Sequence, residues 1–248
     1  MPRIARIVVP GVPHHVTQRG NNRQQVFFSD ADRELYLALL KSEAERFGLE
    51  ILGYCLLTNH MHLVAVPAGP ESLAKAVGRT DYRYTQAVNR AHRWSGHLWQ
   101  NRFYSCPLDE VHQWQALVYV DLNPVRAKLV RKARLYPWSS AAIHCGQPDP
   151  AGLIAPAAWR KHWGRGDWAA VLAEGQERAE LEALRRCTQN GRPLGDQAFV
   201  AKIEGQTHRI LHARPVGRPR KPPAKSREQR SRSRHKGVRG HKRARLAY

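Results

Sequence analysis

What most limits the fold of this chain is the order in which its apolar residues change period between positions 14 and 122. His14 to Arg19 (HHVTQR) reads as a short strand after an entry broken by proline and glycine. Helical spacing follows over 29–48: Ser29-Asp30-Ala31-Asp32 offers capping residues, Leu35, Ala38, Leu39 and Ser42 continue the stripe, and Gly48 stops it. Residues 51–57 and 61–66 are two apolar runs of strand length joined through Thr58-Asn59, as in a hairpin. A second helix is expected over 72–92, with Leu73, Val77, Tyr84 and Val88 on one stripe. After Gly96 come a fourth strand near 97–106 and a third helix near 108–122, ending at Asn123-Pro124 because a residue before proline is pushed out of the helical region. The order strand, helix, strand, strand, helix, strand, helix predicts an α+β, ferredoxin-like (split βαβ) antiparallel sheet with helices on one face.

Beyond that unit lie a tryptophan-rich connection (Trp138, Trp159, Trp163, Trp168), a helix expected over 167–188, and the stretch GRPLGDQAFVAKIEG. Three parts are expected: a folded domain at 1–145, a helical extension at 146–213 and a basic tail at 214–248. The tail holds 14 of the 41 Lys and Arg residues and one acid, Glu228, so +13 of the net +21 resides there. It has almost no apolar residues and is expected to be disordered alone. The 42% hydrophobic content supplies a core for the rest.

An excess this large excludes an acidic secreted domain, and nucleic acid is the commonest partner of a soluble chain so charged. No run of about 18 apolar residues predicts a membrane span, and Pro10 and Pro13 interrupt the start before a signal-peptide core could form. Cys55, Cys106, Cys145 and Cys187 form no CxxC pair, so free thiols in a reducing cytoplasm are expected.

The sharpest chemical feature is Asn59-His60-Met61-His62-Leu63 on the third strand. Alternate strand residues share a face, so the two imidazoles could chelate one divalent ion while Met61 turns away. Two such histidines are also common as hydrogen-bonded structural residues. The second feature is Tyr119 with Asn123, four apart on a helix and therefore on one face. The plainer reading makes Tyr119 an amphipathic core residue and Asn123 a turn former. Asp121 points to another face.

Taken together these segments resemble a known family. NHMHLV is similar to the histidine, hydrophobic, histidine (HUH) motif, and YVDLNPVRAKLV to the catalytic-helix signature of single-tyrosine HUH transposases. The chain most resembles the REP-associated tyrosine transposases, through PGVPHHVTQRGNNRQQVFF, GHLWQNRFYSCPLDEVH, YPWSSA and GRPLGDQAFV followed by GRPRK, over residues 2 to about 221. It departs from the commonest pattern at Asp121, where a glutamate is frequent. The resemblance implies metal-dependent nicking and strand transfer of single-stranded or hairpin DNA. His60 and His62 would hold Mg²⁺ or Mn²⁺ with Asn123 as third ligand, and Tyr119 would be the nucleophile that leaves a 5′-phosphotyrosine and a free 3′-hydroxyl. A tyrosine phenol ordinarily ionises near pH ~10, so a nearby cation would favour its anion. It further implies a monomer without an obligate protein partner, in the bacterial cytoplasm and associated with the nucleoid.

Arg19 and Arg23, in a polar loop with Gln18, Asn21 and Asn22, and Arg102, among Trp99, Gln100, Phe103 and Tyr104, are candidate DNA contacts. In the tail, Arg218, Arg220 and Lys221 resemble an AT-hook core or a generic phosphate-binding arm. His14 and His15 read as structural or DNA-contacting. The competing reading is a non-catalytic module that binds structured DNA or RNA. A water-using metal hydrolase would need a carboxylate near the histidines, and 49–66 offers only Glu50.

Overall fold

The computed structural model describes residues 5–154, 159 and 166–212. Strands β1 (His14–Arg19), β2 (Leu49–Leu57), β3 (His60–Pro67) and β4 (Tyr104–Pro107) form one antiparallel sheet in the order β2-β3-β1-β4. Helix α1 (Asp30–Phe47) crosses from β1 to β2 and α2 (Ser72–His92) from β3 to β4, which completes the split βαβ arrangement. The Ser29 side chain accepts from the Asp32 amide and Asp32 reaches back to Ser29, while Gly48 ends α1 at φ 62°, a left-handed turn suited to glycine.

Alternation along the strands fixes what each face carries. Val16, Met61, Leu63 and Tyr54 are buried on the face that α1 and α2 cover. Those helices are tied together by Glu43 on α1, which accepts from Arg79 Nε at 3.2 Å and Arg83 Nη1 at 2.8 Å on α2. Burial alone would raise the Glu43 carboxyl, but the two guanidiniums outweigh it and hold it below its usual range.

The opposite face is covered as well, which adds to the expected layer. Helix α3 (Glu110–Asp121) lies over β2, β3 and β1. Gly53 permits its approach, since a Cβ there would meet Leu117 Cδ2 at 2.7 Å and Ser140 Oγ at 3.2 Å. After Leu122 the chain re-enters a one-turn helix α4 (Asn123–Arg126), so it does not leave the helical path at Asn123-Pro124. Proline has no amide hydrogen to continue the ladder but is tolerated in a first turn, which turns the expected stop into a break of one residue.

Two other expectations are corrected. Only Tyr104–Pro107 joins the ladder as β4, because 98–101 pairs instead with the loop after β1, through Asn21 N–H to Leu98 O at 2.8 Å and Gln100 N–H to Arg19 O at 2.8 Å. The helix expected over 167–188 is divided at Gly175, where φ is 81°. A one-turn helix α5 (Ala141–His144) precedes that region, which forms α6 (Trp168–Glu174) and α7 (Arg178–Asn190). Last comes α8 (Gln197–Thr207), N-capped by Asp196, whose Ile203 packs with Ile7, Val9 and Leu211 in a small second core. Helix α7 lies on β4 and β1, beside α3. Described residues through His212 form one compact unit. The four cysteines are free thiols, and among the described residues no helix is long and apolar enough to cross a membrane.

Candidate active site

The site face of the sheet gathers His15 from β1 with His60 and His62 from β3. Register sets this: Thr17 and Cys55 flank His62, while Arg19 and Leu57 flank His60. The two imidazoles of the motif do lie side by side, with ring centres 5.1 Å apart, and Met61 is buried on the other face. Tyr119 comes down from α3 onto the same group, its ring 5.3 Å from His62 and 5.6 Å from His15.

Each imidazole has a defined partner. His15 Nε2 is 3.0 Å from His62 Nδ1, and His15 Nδ1 is 2.7 Å from Thr188 Oγ1 on α7. His60 Nδ1 is 2.6 Å from Asn59 Oδ1, and Asn59 Nδ2 donates to the Arg23 carbonyl at 3.0 Å. Burial, reinforced by Arg19, pulls His60 down to about 4. Burial, with Arg126, takes His15 to about 3. His62 falls well below 6.5, through burial first and then His60, His15, Arg126 and Arg19. All three rings are therefore neutral at pH 7, the form that binds metal.

Two cations flank the tyrosine. The Arg126 guanidinium stands 4.2 Å over the Tyr119 ring and donates to the Tyr119 carbonyl. Burial pulls Arg126 down to about 10, and its Nε and Nη1 are buried with no hydrogen-bond partner. Arg185 of α7 donates from Nε toward Tyr119 Oη at 3.4 Å. Such fixed positive charge suits a phosphate or a phenolate. The sequence reading singled out neither of them as part of the site.

Asn123 is buried at the start of α4, four residues from Tyr119, and its Nδ2 has no partner. Asp121 turns away from the histidines, as expected, into a buried cluster where Ser140 Oγ, His144 Nδ1 and Trp168 Nε1 lie at 2.6, 2.7 and 2.8 Å. Arg19 is exposed at the end of β1, beside His60. Arg23 lines a groove of about 290 Å³ that also touches Asn59 and His60. Arg102 is not part of this group. It lines a separate cavity with Gln18, Asp81, Tyr82 and Phe103 on the α2 side of the sheet. His14 hydrogen-bonds the Val12 carbonyl and is structural. Arg218, Arg220 and Lys221 lie outside the described residues.

Among the described residues no three His, Cys, Asp or Glu side chains are grouped to hold a metal. The donor set that the sheet brings together is the two imidazoles of His60 and His62. The site is thus a small split βαβ sheet carrying a histidine pair opposite a helix-borne tyrosine. Residues 9–123 match the family model of IS200-like transposases. The fold is similar to a solved REP-associated tyrosine transposase bound to a REP hairpin, at TM-score 0.52 and 19% identity, covering 71% of this chain and 98% of that one. A candidate transposase from Deinococcus radiodurans R1 aligns at 23% identity over 48% of this chain and 96% of its own, with TM-score 0.34. No curated protein matches.

Proposed function

We propose that this protein is a single-tyrosine transposase of the REP-associated kind, which nicks and rejoins single-stranded DNA next to a hairpin. The observation that carries the reading is the convergence of His60, His62 and Tyr119, from two elements far apart in sequence, on one covered face of the sheet. Tyr119 Oη attacks the scissile phosphorus. The new O–P bond forms as the P–O3′ bond breaks, the phenol proton is lost and the 3′ oxygen gains one, leaving a 5′-phosphotyrosine. A 3′-hydroxyl attacking that ester reverses the exchange, so the bond energy is kept for strand transfer. Arg126 and Arg185 sit where they would neutralise the phenolate and the phosphate oxygens.

His60 and His62, with the Asn123 amide, would hold the divalent cation. Two neutral imidazoles and an amide oxygen suit Mn²⁺ or Mg²⁺ completed by water and phosphate oxygens, while the unpaired atom at Asn123 is its donor Nδ2, which an acceptor such as a phosphate oxygen would satisfy. A cation bound there supplies positive charge against the phosphate. Arg19 and Arg23 border the His60 side and would contact the DNA backbone. Residues 1–145 would form the catalytic domain, 146–213 the helical extension, and 214–248, with Arg218, Arg220 and Lys221, a DNA-binding arm. We take the protein to act as a monomer in the bacterial cytoplasm.

The test uses single-stranded hairpin oligonucleotides from the gene's own neighbourhood, with Mg²⁺ or Mn²⁺, on a denaturing gel beside Tyr119→Phe and His62→Ala. A covalent protein-DNA adduct that requires metal and is absent from both variants supports the reading. Tight binding with no adduct or nick on any hairpin would make the protein a binding module.

A further inference from the structure

Helix α7 lies outside the segment that matches the transposase family, yet it reaches the buried histidines. The direction of each hydrogen bond in that contact can be worked out. Thr188 Oγ1 donates its single hydrogen to the Leu184 carbonyl, one turn back, at 2.7 Å. Toward His15 it can then only accept, so the 2.7 Å contact is a His15 Nδ1–H donating to Thr188. A neutral imidazole has one N–H, which leaves His15 Nε2 as an acceptor. The 3.0 Å contact is accordingly His62 Nδ1–H donating to His15 Nε2. His62 has then spent its hydrogen, and its Nε2 carries a lone pair.

An unrelated set of atoms gives His60 the same tautomer. Asn59 Nδ2 donates to the Arg23 carbonyl, so Asn59 Oδ1 faces His60 Nδ1 at 2.6 Å and must accept from it. Reversing the His62 chain would require Thr188 to abandon Leu184. The Cys106 thiol, 3.2 Å from the same Oγ1, fits its second accepting position.

We propose that Thr188 and His15 are positioning residues that fix His62 as its Nδ1–H tautomer, with Asn59 doing the same for His60, so that both Nε2 atoms face a divalent cation. The proposal rests on the reading of His60 and His62 as metal ligands. It makes the helix that follows the family segment a part of the active site. Outer partners of metal-binding histidines set ring orientation and basicity, and losing one typically costs about 10- to 100-fold in metal affinity.

The test starts with the full chain, metal-free and ¹⁵N-labelled, in long-range ¹H–¹⁵N correlation spectra of its imidazoles. His15, His60 and His62 are expected as Nδ1–H tautomers. Thr188→Val, matched in shape but without an acceptor, should move His15 and His62 toward the Nε2–H form and weaken Mn²⁺ binding by about tenfold in calorimetry. Thr188→Ser should retain both properties. Asn59→Ala, at a partly exposed turn, applies the same logic to His60 should Thr188→Val fail to fold. A wild-type His62 with hydrogen on Nε2, or a folded Thr188→Val with unchanged tautomers and Mn²⁺ affinity, overturns the proposal. Nδ1–H tautomers in a wild type that binds no Mn²⁺ also overturn it, with the fault then in the metal reading and not in the hydrogen-bond chain.

Discussion

Replacing Asp121 by alanine should destabilise the fold far more than it alters the chemistry, although Asp121 is only two residues from Tyr119. Its carboxylate is fully buried and accepts from Ser140 Oγ at 2.6 Å, His144 Nδ1 at 2.7 Å and Trp168 Nε1 at 2.8 Å. His144 is held at its other nitrogen by the Leu52 carbonyl at 2.8 Å, so the cluster joins α3 to β2, α5 and α6. Alanine would take the shared acceptor from three buried donors, a loss of about 1–3 kcal/mol each. Neighbouring acceptors recover part of this: the Ser140 hydroxyl can turn fully to the Tyr54 carbonyl, already 3.2 Å away. A net loss of about 4 kcal/mol is expected, and for a folded unit of this size that lowers Tm by roughly 8–16 °C. Calorimetry or thermal circular dichroism of the full chain reads the shift. Adduct formation per folded molecule, assayed well below the variant's Tm, should stay within a few-fold of wild type. A Tm drop under about 3 °C would refute the claim that this carboxylate holds the Tyr119 helix in place. A large loss of adduct from a fully folded variant would instead give Asp121 a direct part in the reaction.

On the other side of the sheet, burial raises Asp81 from 3.8 to about 7 against the opposing effect of Tyr36, Gln18 and Arg6. The folded state binds this proton more tightly than the unfolded state, so wild-type stability falls as pH rises toward 7; Asp81→Asn should therefore gain on the order of 2 kcal/mol relative to wild type between pH 5 and pH 8, and a difference in Tm that does not change with pH would refute the assignment. Arg126→Gln removes a cation over the Tyr119 ring and should slow adduct formation roughly 10²-fold while leaving Mn²⁺ affinity unchanged; an unaltered single-turnover rate would exclude Arg126 from charge stabilisation. Deleting residues 214–248, which carry +13 of the net charge, should weaken DNA binding and flatten the slope of log K against log salt while sparing cleavage at low salt; an unchanged slope would deny the tail a phosphate-binding role.

Much of the sheet was legible because its signals are local. Ser29 with Asp32, and Gly48, set the ends of α1 through hydrogen bonds and backbone freedom that involve only near neighbours. The HMH alternation follows from the pleat of a strand and placed both imidazoles on one side. The errors came where distant partners decided. Residues 97–103 have strand-like composition, but the loop after β1 takes their hydrogen bonds. At Asn123-Pro124 the reason is local instead: α3 ends at Asp121, close to the expected stop, but a proline in a first turn loses no bond that a helix could have made, so α4 starts at once.

The active-site partners divide the same way. Sequence spacing alone paired His60 with His62 and Tyr119 with Asn123, since both pairs lie within one element. It gave no sign that Thr188 would meet His15, 173 residues away, or that Arg185 would reach the Tyr119 hydroxyl. Helical period marks which residues share a face but leaves open what that face covers, and α7 carries no motif for its target. Local propensity and alternation therefore determined the sheet, its crossover helices and which side chains are candidates for the chemistry. Packing of α3 and α7 onto the second face decided the neutral state of the histidines, the cations around the tyrosine and the tautomer each ring adopts, because burial and long-range hydrogen bonds exist only once the chain has closed on itself.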